Sequence, residues 1–406
     1  MPIFKDEFFE FQWLRAAGHA SYGGAELGEC LEVARQIGGA DSERWFEAWS
    51  AMAARLEAAA QASERAGHRV SARGAYLRAS NYLRAAWTFR LQAPLDAKAI
   101  DAYRRHRRAF TRAAQWMTPA GEAVRIPYEG ATLHGYFFKA DGALRPTLIV
   151  NGGYDSTAEE AWLFSGAAAL ERGYNVLLFD GPGQGEAIFE QGLVFRPDWE
   201  RVIGPVVDYL YALPEVDCER LALMGISFGG YLASRAASCE PRIKALIADP
   251  GQLSLYEETK RRVPPFLAAR LLHERGLVPL LLAALLNRRL RSVTGGWGLR
   301  RGLLVHGVKT PLDYIRLTPT YATERPEAIA CPTLITSAQN DEIGATARML
   351  YDRLTCPKTF VTFSAAEGAG AHCETGARAW FNQRVFDWLD ETFAPAAMAR
   401  NAARAA

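Results

Sequence analysis

The chain has 406 residues, of which 49% are hydrophobic and 23% charged, and its formal net charge is +2. This near balance argues against a nucleic-acid-binding protein, which usually carries a clustered basic excess. The arginine-rich stretch 103–112 is the exception, and we interpret it as a solvated helix face. The longest apolar run, 276–286, is much shorter than the ~20 residues that a membrane-spanning helix needs.

The six cysteines form no CxxC pair and have no metal-ligand spacing. The N-terminal residues MPIFKDEFFEF carry charges where a signal peptide needs an apolar core. We therefore expect a reduced, soluble, cytoplasmic protein that uses no metal and no cofactor. Neither a nucleic acid nor a membrane is expected among its partners.

Residues 20–117 have the pattern of several helices. Asp41 can cap a helix over 41–66 whose apolar residues recur at helical spacing, and Gly67 ends it. A second helix is predicted over about 69–88, and a third follows Pro94. The helices show no fixed-period similarity, which argues against a repeat protein.

From residue 119 onward, short apolar runs alternate with helix-like stretches. This alternation predicts an α/β fold with a mostly parallel sheet and helices on both faces. The alternation breaks at 252–325, where apolar helix-like pieces predict a helical lid over the carboxyl ends of the strands. The sequence thus predicts an N-terminal helical domain over 1–118 and a core in two parts, 119–251 and 326–394. A helical lid over 252–325 separates the two parts of the core, and the tail 395–406 is expected to be disordered.

Residues 225–229, GISFG, match the pattern G-x-S-x-G. A strand-like run precedes them and a small-residue helix follows, which is the context of a nucleophile elbow rather than of a plain glycine turn. In an elbow, the glycines let the backbone hold the serine in a strained conformation with its hydroxyl exposed. Ser227 is therefore the predicted nucleophile.

A serine hydroxyl needs a base, and an acid that orients the base. His372 follows the strand-like run KTFVTFS in a flexible loop, whereas His273 lies in a lid-like helix and His306 follows no core strand. We therefore predict His372 as the base.

The orienting acid should follow the preceding strand. Asp341 ends the run PTLITSAQND and is the predicted acid. Glu342 is one residue away but should point elsewhere, and Asp249 is interpreted as a structural turn acid before Pro250.

An oxyanion hole needs two backbone N–H donors. One is expected from Phe228 and the other from Gly153 or Tyr154, in the turn after the strand-like run TLIVN. The glycine-rich segment 179–186 is interpreted as a tight turn beside the active site, because no Lys-Ser/Thr follows it as in a phosphate-binding loop.

Together with these residues, the turns GGYDS and DGPGQGE and the N-terminal segments YGGAELGECLEVA, WFEAWSAMA and SARGAYLRASNYLRAA resemble one branch of the α/β-hydrolases. That branch includes 2,6-dihydroxypseudooxynicotine hydrolase, polyketide-shortening hydrolases and the fermentation–respiration switch protein. The resemblance implies a helical cap over the active site, often a homodimer, and cleavage of a carbon–carbon bond next to a ketone. It also implies that Asp155 could contact the substrate or the cap, and that Glu257 and Glu258 could assist a substrate hydroxyl.

We therefore expect a serine hydrolase with an acyl-enzyme intermediate that acts on a small-molecule acyl or ketone substrate, most simply a β-dicarbonyl or aryl ketone. A carboxylesterase, a thioesterase, an acyltransferase or a cyclase would use the same three residues. A non-catalytic binding or regulatory protein on the same scaffold remains an alternative. A peptidase is a further possibility, but the sequence has no pair of acidic residues that would indicate recognition of a substrate amine.

Overall fold

The structure is a computed structural model that describes residues 2–261, 272 and 277–405. It begins with five α-helices that precede any strand. Their bounds are α1 (Glu7–Gly18), α2 (Leu27–Ile37), α3 (Ser42–Arg65), α4 (Arg69–Ala86) and α5 (Ala97–Ala114).

The N-terminal helices begin and end where the sequence predicts. The Asp41 carboxylate accepts the N–H groups of Glu43 and Arg44 at the start of α3, and Gly67 has φ +78° just after its end. Trp45 and Trp49 of α3 are fully buried. The helical spacing of the apolar residues therefore marks the packed face of α3.

Eight strands form one sheet in the order β1-β2-β4-β3-β5-β6-β7-β8. The first two form a hairpin, β2 pairs antiparallel with β4, and every later pairing is parallel. The predicted α/β fold with a mostly parallel sheet is confirmed. The strand bounds are β1 (Gly121–Tyr128), β2 (Ala131–Phe138), β3 (Arg145–Asn151), β4 (Asn175–Phe179), β5 (Val216–Ile226), β6 (Ala245–Asp249), β7 (Thr333–Ala338) and β8 (Lys358–Phe363).

Helices cover both faces of the sheet. Successive strand residues point to opposite faces, so Leu148 and Val150 join one apolar core and Ile149 the other. The first core also contains the N-terminal helices, and the second contains the helices after β4 and β5. The covering helices are α6 (Ala158–Ala161), which continues through a π-helical turn (Trp162–Gly166) into α7 (Ala167–Glu171), then α8 (Gly185–Phe189), α9 (Glu200–Tyr211) and α10 (Gly229–Ala237).

Between β6 and β7 the chain forms further helices, which we call the inserted helices. They are α11 (Leu255–Arg261), α12 (Leu277–Leu290), α13 (Trp297–Val305) and α14 (Pro311–Leu317). They occupy the predicted lid, of which 262–271 and 273–276 lie outside the described residues. Within the described ranges no helix, α12 included, is both long and apolar enough to cross a membrane.

The end of the chain differs from the prediction. After α15 (Ala347–Arg353), the last helix, α16 (Arg378–Ala405), continues through the segment 395–406 that we expected to be disordered. Extending an existing helix needs no new nucleation, and alanine and arginine favour the helical backbone. The structure therefore gives 395–405 a helical backbone, and disorder of this tail in solution stays a prediction.

Candidate active site

Ser227 lies in the sharp turn between β5 and α10. Its φ is +60°, a left-handed conformation that a serine rarely adopts, and its N–H donates to the Asp249 carbonyl at 2.6 Å. A Cβ atom at Gly225 would overlap the Gly229 carbonyl, and one at Gly229 would overlap the Asn151 carbonyl. The two glycines are therefore required by close backbone contacts, and the serine is held out of the sheet between them.

The structure brings Ser227, His372 and Asp341 together. His372 Nε2 lies 2.9 Å from Ser227 Oγ, and His372 Nδ1 lies 2.7 Å from Asp341 Oδ2. An ionised carboxylate can only accept, so Nδ1 carries the proton toward Asp341. In the neutral imidazole, Nε2 is then the acceptor that faces the serine hydroxyl.

His372 and Asp341 shift each other's pKa values. Burial lowers the pKa of His372, but the Asp341 carboxylate outweighs it, so that the pKa is raised above its ordinary value. Burial raises the pKa of Asp341, and the His372 ring together with the backbone N–H groups of Ile343 and Gly344 outweighs burial, so that this pKa is lowered. The pair is therefore poised with an ionised acid next to a basic imidazole.

The rival residues have other partners. The Asp249 carboxylate is buried and binds Arg378 at 2.8 Å. Glu342 is exposed. His306 binds a tyrosine hydroxyl at 2.8 Å, and burial lowers its pKa to about 3, while His273 lies outside the described residues. Of these side chains, none of the described ones forms a hydrogen bond with the Ser227 hydroxyl, whose partner is His372.

The turn after β3 approaches the elbow. A Cβ atom at Gly153 would lie 2.9 Å from the Phe228 nitrogen, so only glycine allows this approach. The Gly153 N–H donates to Ser156 Oγ at 2.7 Å. In the described part of the chain the N–H groups of Tyr154 and Phe228 have no acceptor. Of the three candidate donors, only the Gly153 N–H is therefore occupied within the described part of the chain.

The sequence analysis missed a residue that supports this turn. Gln184 Nε2 donates to the carbonyls of Gly152 and Gly153 at 2.5 and 3.3 Å, and its Oε1 accepts the Gly181 N–H at 3.0 Å. The segment 179–186 was predicted only as a tight turn beside the site. Its position next to the β3 turn depends on the strand order β4-β3, which its own residues do not reveal.

A cavity of about 490 Å³ opens beside the serine. Its wall is largely aromatic and apolar, with Phe8 and Phe11 from α1, Trp297 from α13 and Ile315 from α14. The cavity thus lies between the N-terminal helices, the elbow and the inserted helices. Among the described residues no three His, Cys, Asp or Glu side chains are arranged to hold a metal ion.

Asp155 joins the core to the N-terminal helices. Its carboxylate is buried and lies 2.8 Å from Arg15 of α1 and 2.6 Å from Arg84 of α4. Asp155 and Arg15 also line the cavity. The sequence analysis considered a contact of Asp155 with the substrate or with the helical cap. The structure shows its contact with the N-terminal helices.

The two acids of α11 have different surroundings. Glu258 is buried, lines the cavity and accepts the Thr346 hydroxyl at 3.3 Å. Glu257 pairs with Lys260 at 2.6 Å and does not line the cavity. Neighbouring helix residues point about 100° apart, so only one of the two can face the site.

Comparisons with known proteins agree with this architecture. A model of the α/β-hydrolase family matches residues 147–399. The hydrolase LUC6 of a Fusarium species is 36% identical over 96% of this chain and 98% of its own length. The chain belongs to the α/β-hydrolase family. The 20-hydroxy-prefusarin hydrolase FUS2 of Gibberella moniliformis is 35% identical to this hydrolase over 97% of the chain and 98% of its own length.

Solved structures share the fold of this hydrolase. The 2,6-dihydroxy-pseudo-oxynicotine hydrolase matches with a TM-score of 0.73 over 92% of this chain and 95% of its own, at 23% sequence identity. The protein AbyA5 matches with a TM-score of 0.57 over 91% of this chain and 98% of its own, at 20% identity. Because both matches cover most of the chain, the N-terminal helices are part of the shared architecture.

Proposed function

We propose that this enzyme is a serine hydrolase in which Ser227 is the nucleophile, His372 the general base and Asp341 the residue that orients the base. The observation that carries the proposal is the hydrogen-bonded chain from Ser227 Oγ through His372 to Asp341, with contacts of 2.9 and 2.7 Å. The serine lies in the wall of the cavity, where a substrate carbonyl has access to its hydroxyl. Such a chain removes the serine proton as the oxygen attacks.

The reaction proceeds in two halves. Ser227 Oγ attacks the substrate carbonyl, His372 Nε2 takes its proton, and the carbonyl oxygen becomes an oxyanion held by the N–H groups of Phe228 and Tyr154. His372 then gives the proton to the leaving group, and the acyl group stays on the serine. Water, deprotonated by His372, releases the acyl group as an acid. Gly153 supports the hole by its close approach, since its own N–H is bound to Ser156.

For the substrate we propose a β-dicarbonyl or aryl ketone, polyketide-like or aromatic, in which a carbon–carbon bond next to a ketone is cleaved. The leaving group is then a carbanion, which either an adjacent carbonyl, in a β-dicarbonyl, or an electron-rich ring that can be protonated, in an aryl ketone, must stabilise. We propose that Glu258, buried in the cavity wall, assists a substrate hydroxyl or enol in this step. The aromatic and aliphatic side chains of the wall and the similarity to 20-hydroxy-prefusarin hydrolase support this substrate class.

The N-terminal helices and the inserted helices are proposed to act as a cap and a lid over the substrate. We further propose that the enzyme is cytoplasmic, from its scattered cysteines and charged N-terminal residues, and a homodimer, from the family resemblance. Light scattering after size-exclusion chromatography should give twice the chain mass of 44.8 kDa. A mass of one chain at micromolar concentration would contradict the dimer.

A fluorophosphonate probe tests the nucleophile. The wild-type enzyme should be labelled once, at Ser227, and Ser227→Ala should not be labelled. Ser238→Ala, at the far end of α10, is the matched control and should be labelled like the wild type. Labelling that persists in Ser227→Ala would place the nucleophile elsewhere, and no labelling of either folded protein would favour a binding protein.

A pair of assays tests the bond type. Aromatic 1,3-diketones and p-nitrophenyl esters are compared at matched concentrations, with product acids identified by mass spectrometry. We expect cleavage of a diketone into an acid and a ketone. Ester turnover with kcat/KM near ~10⁴ M⁻¹s⁻¹, and none of any diketone, would instead indicate a carboxylesterase. Acyl transfer to an added alcohol in preference to water would indicate an acyltransferase.

A further inference from the structure

Arg301, in α13, is a buried cation that forms no ion pair with any carboxylate in the described ranges of the chain. Its side chain is only 1% exposed, and its Nε and Nη1 atoms are buried with no hydrogen-bond partner in the described part of the chain. Buried guanidinium groups are normally paired with carboxylates, because an unpaired charge away from water is costly. Two of the three guanidinium nitrogens of Arg301 are thus buried without an acceptor among the described residues.

The neighbouring carboxylates already have partners. Asp155 lies 2.8 Å from Arg15 and 2.6 Å from Arg84, and Glu160 lies 2.6 Å from Arg15 and 3.0 Å from Arg84. Two carboxylates therefore neutralise two arginines, and Arg301 is a third cation beside them. The cluster of these five residues carries an excess of one positive charge.

The pKa values of Arg301 and His19 decide whether this excess charge is present at neutral pH. Burial lowers the pKa of Arg301, Asp155 raises it, and the other two arginines lower it, giving about 10, so Arg301 stays charged at neutral pH. Burial also lowers the pKa of His19 next to Glu160, so that this imidazole is neutral near pH 7. The excess of one charge therefore persists under ordinary conditions.

The cluster borders the cavity. Arg15 and Asp155 line it, as do Trp297 and Gly298 on α13. Arg301 does not itself line the cavity; it follows these two residues by four and three positions, so it lies on the same side of the helix, one turn further along and behind Arg15 and Asp155 of the wall. Arg15 also lowers the pKa of His372, so the charges of the cluster reach the reacting groups.

We propose that Arg301 provides the positive charge that binds a negatively charged oxygen group of the substrate, a carboxylate or an ionised enol or phenol. The substrate supplies the missing anion and the missing acceptor at once. A neutral substrate leaves Arg301 as unsatisfied as in the free enzyme. This inference rests on the proposed function, since it takes the cavity as the substrate site, and it narrows the substrate class to acidic ketones or esters.

Binding to a catalytically dead protein tests the inference apart from catalysis. In the Ser227→Ala background, p-nitrophenyl pentanoate and the p-nitrophenyl monoester of glutaric acid differ by one terminal carboxylate, and their Kd values are measured by calorimetry. The acidic ester should bind roughly tenfold or more tightly, as for a hydrogen bond to a charged group. Adding Arg301→Met should remove this difference. Arg288→Met, which deletes an exposed charge from α12, is the matched control and should keep it.

Stability separates a binding role from a structural one. Methionine keeps an unbranched apolar stem and removes the unpaired charge, so the free Arg301→Met enzyme should melt at the wild-type temperature or above it. A Tm several degrees lower, equal binding of the two esters, or a difference that survives Arg301→Met would each overturn the inference. Turnover of the neutral ester by the unmutated enzyme reports separately on the proposed hydrolase activity.

Discussion

Two aspartates at the ends of neighbouring strands differ in what their carboxylates bind. Asp341 follows β7 and binds the His372 ring, whereas Asp249 ends β6 and binds Arg378. Removing the charge of Asp341 therefore alters the base, and removing that of Asp249 alters a buried ion pair. We therefore expect Asp341→Asn to affect mainly turnover and Asp249→Asn to affect mainly stability.

We expect Asp341→Asn to be folded and nearly inactive. An amide at this position favours the wrong imidazole tautomer, and the corresponding change in serine proteases lowers turnover by about 10⁴. Steady-state kcat, with circular dichroism to check the fold, measures the effect. Turnover within tenfold of the wild type would rule out Asp341 as the orienting acid.

Asp249→Asn should mainly lower stability. Burial, and then Asp249, raise the pKa of Glu374, which also lies 3.3 Å from Arg378. When Asp249 is neutralised, Glu374 can ionise and keep Arg378 paired, so we expect a loss of about 1–3 kcal/mol in the free energy of unfolding. Urea unfolding measures it. A folded variant with a larger loss of turnover than Asp341→Asn would reverse the assignment of the acid.

The pH dependence follows from the raised pKa of His372. Only the neutral imidazole accepts the serine proton, so kcat/KM should fall as the pH drops through this pKa, with a midpoint above 6.5. Because Asp341 causes the rise, the residual activity of Asp341→Asn should fall at a lower pH than that of the wild type. A pH profile with the same midpoint in both proteins would contradict this coupling.

At the scale of elements, α1 and α4 hold the turn after β3. Arg15 and Arg84 bind Asp155, the residue next to the proposed oxyanion donor Tyr154. A shift of either helix would therefore move a backbone N–H beside the serine. The N-terminal helices act on the site through this ion pair as well as through the cavity wall.

A double-mutant cycle on Arg15 and Asp155 measures this link. Asp155→Asn should cost about 3–5 kcal/mol in unfolding free energy, because it leaves Arg15 and Arg84 to share one buried carboxylate, that of Glu160. Arg15→Met should cost less, because Arg84 still binds both carboxylates. We expect a coupling energy of about 0.5–3 kcal/mol, and a lower kcat for Asp155→Asn. Additive losses with unchanged kcat would show that the helices do not support the turn.

The elements and the elbow could be predicted from the sequence because their signals are local. The capped α3, the alternating strands and the glycines at 225 and 229 each depend on residues a few positions apart. The ion pair of Arg15 with Asp155 joins residues 140 positions apart, and no local pattern announces it. The same holds for Gln184 and Arg301, whose importance depends on which strands and helices become neighbours.

At the scale of the whole molecule, the N-terminal helices share one apolar core with a face of the sheet. Deleting 1–118 should therefore expose that face, increase binding of a hydrophobic dye and abolish activity, since Phe8, Phe11 and Arg15 leave the cavity wall. Size-exclusion chromatography, dye fluorescence and turnover of a cleaved substrate measure the three effects. A monodisperse truncated protein with full activity would make 1–118 an independent domain.

The cavity also has a consequence for how the protein is made. Its wall includes Phe8 near one end of the sequence and Thr375 near the other. During synthesis on a ribosome, α1 emerges first but finds its complete binding surface only after His372 has been added. Until then Phe8 lacks its ring contact with Trp297 and Phe11 its contact with His372, a condition that favours chaperone binding. Active enzyme should therefore appear only after nearly the whole chain has been released, without an active intermediate.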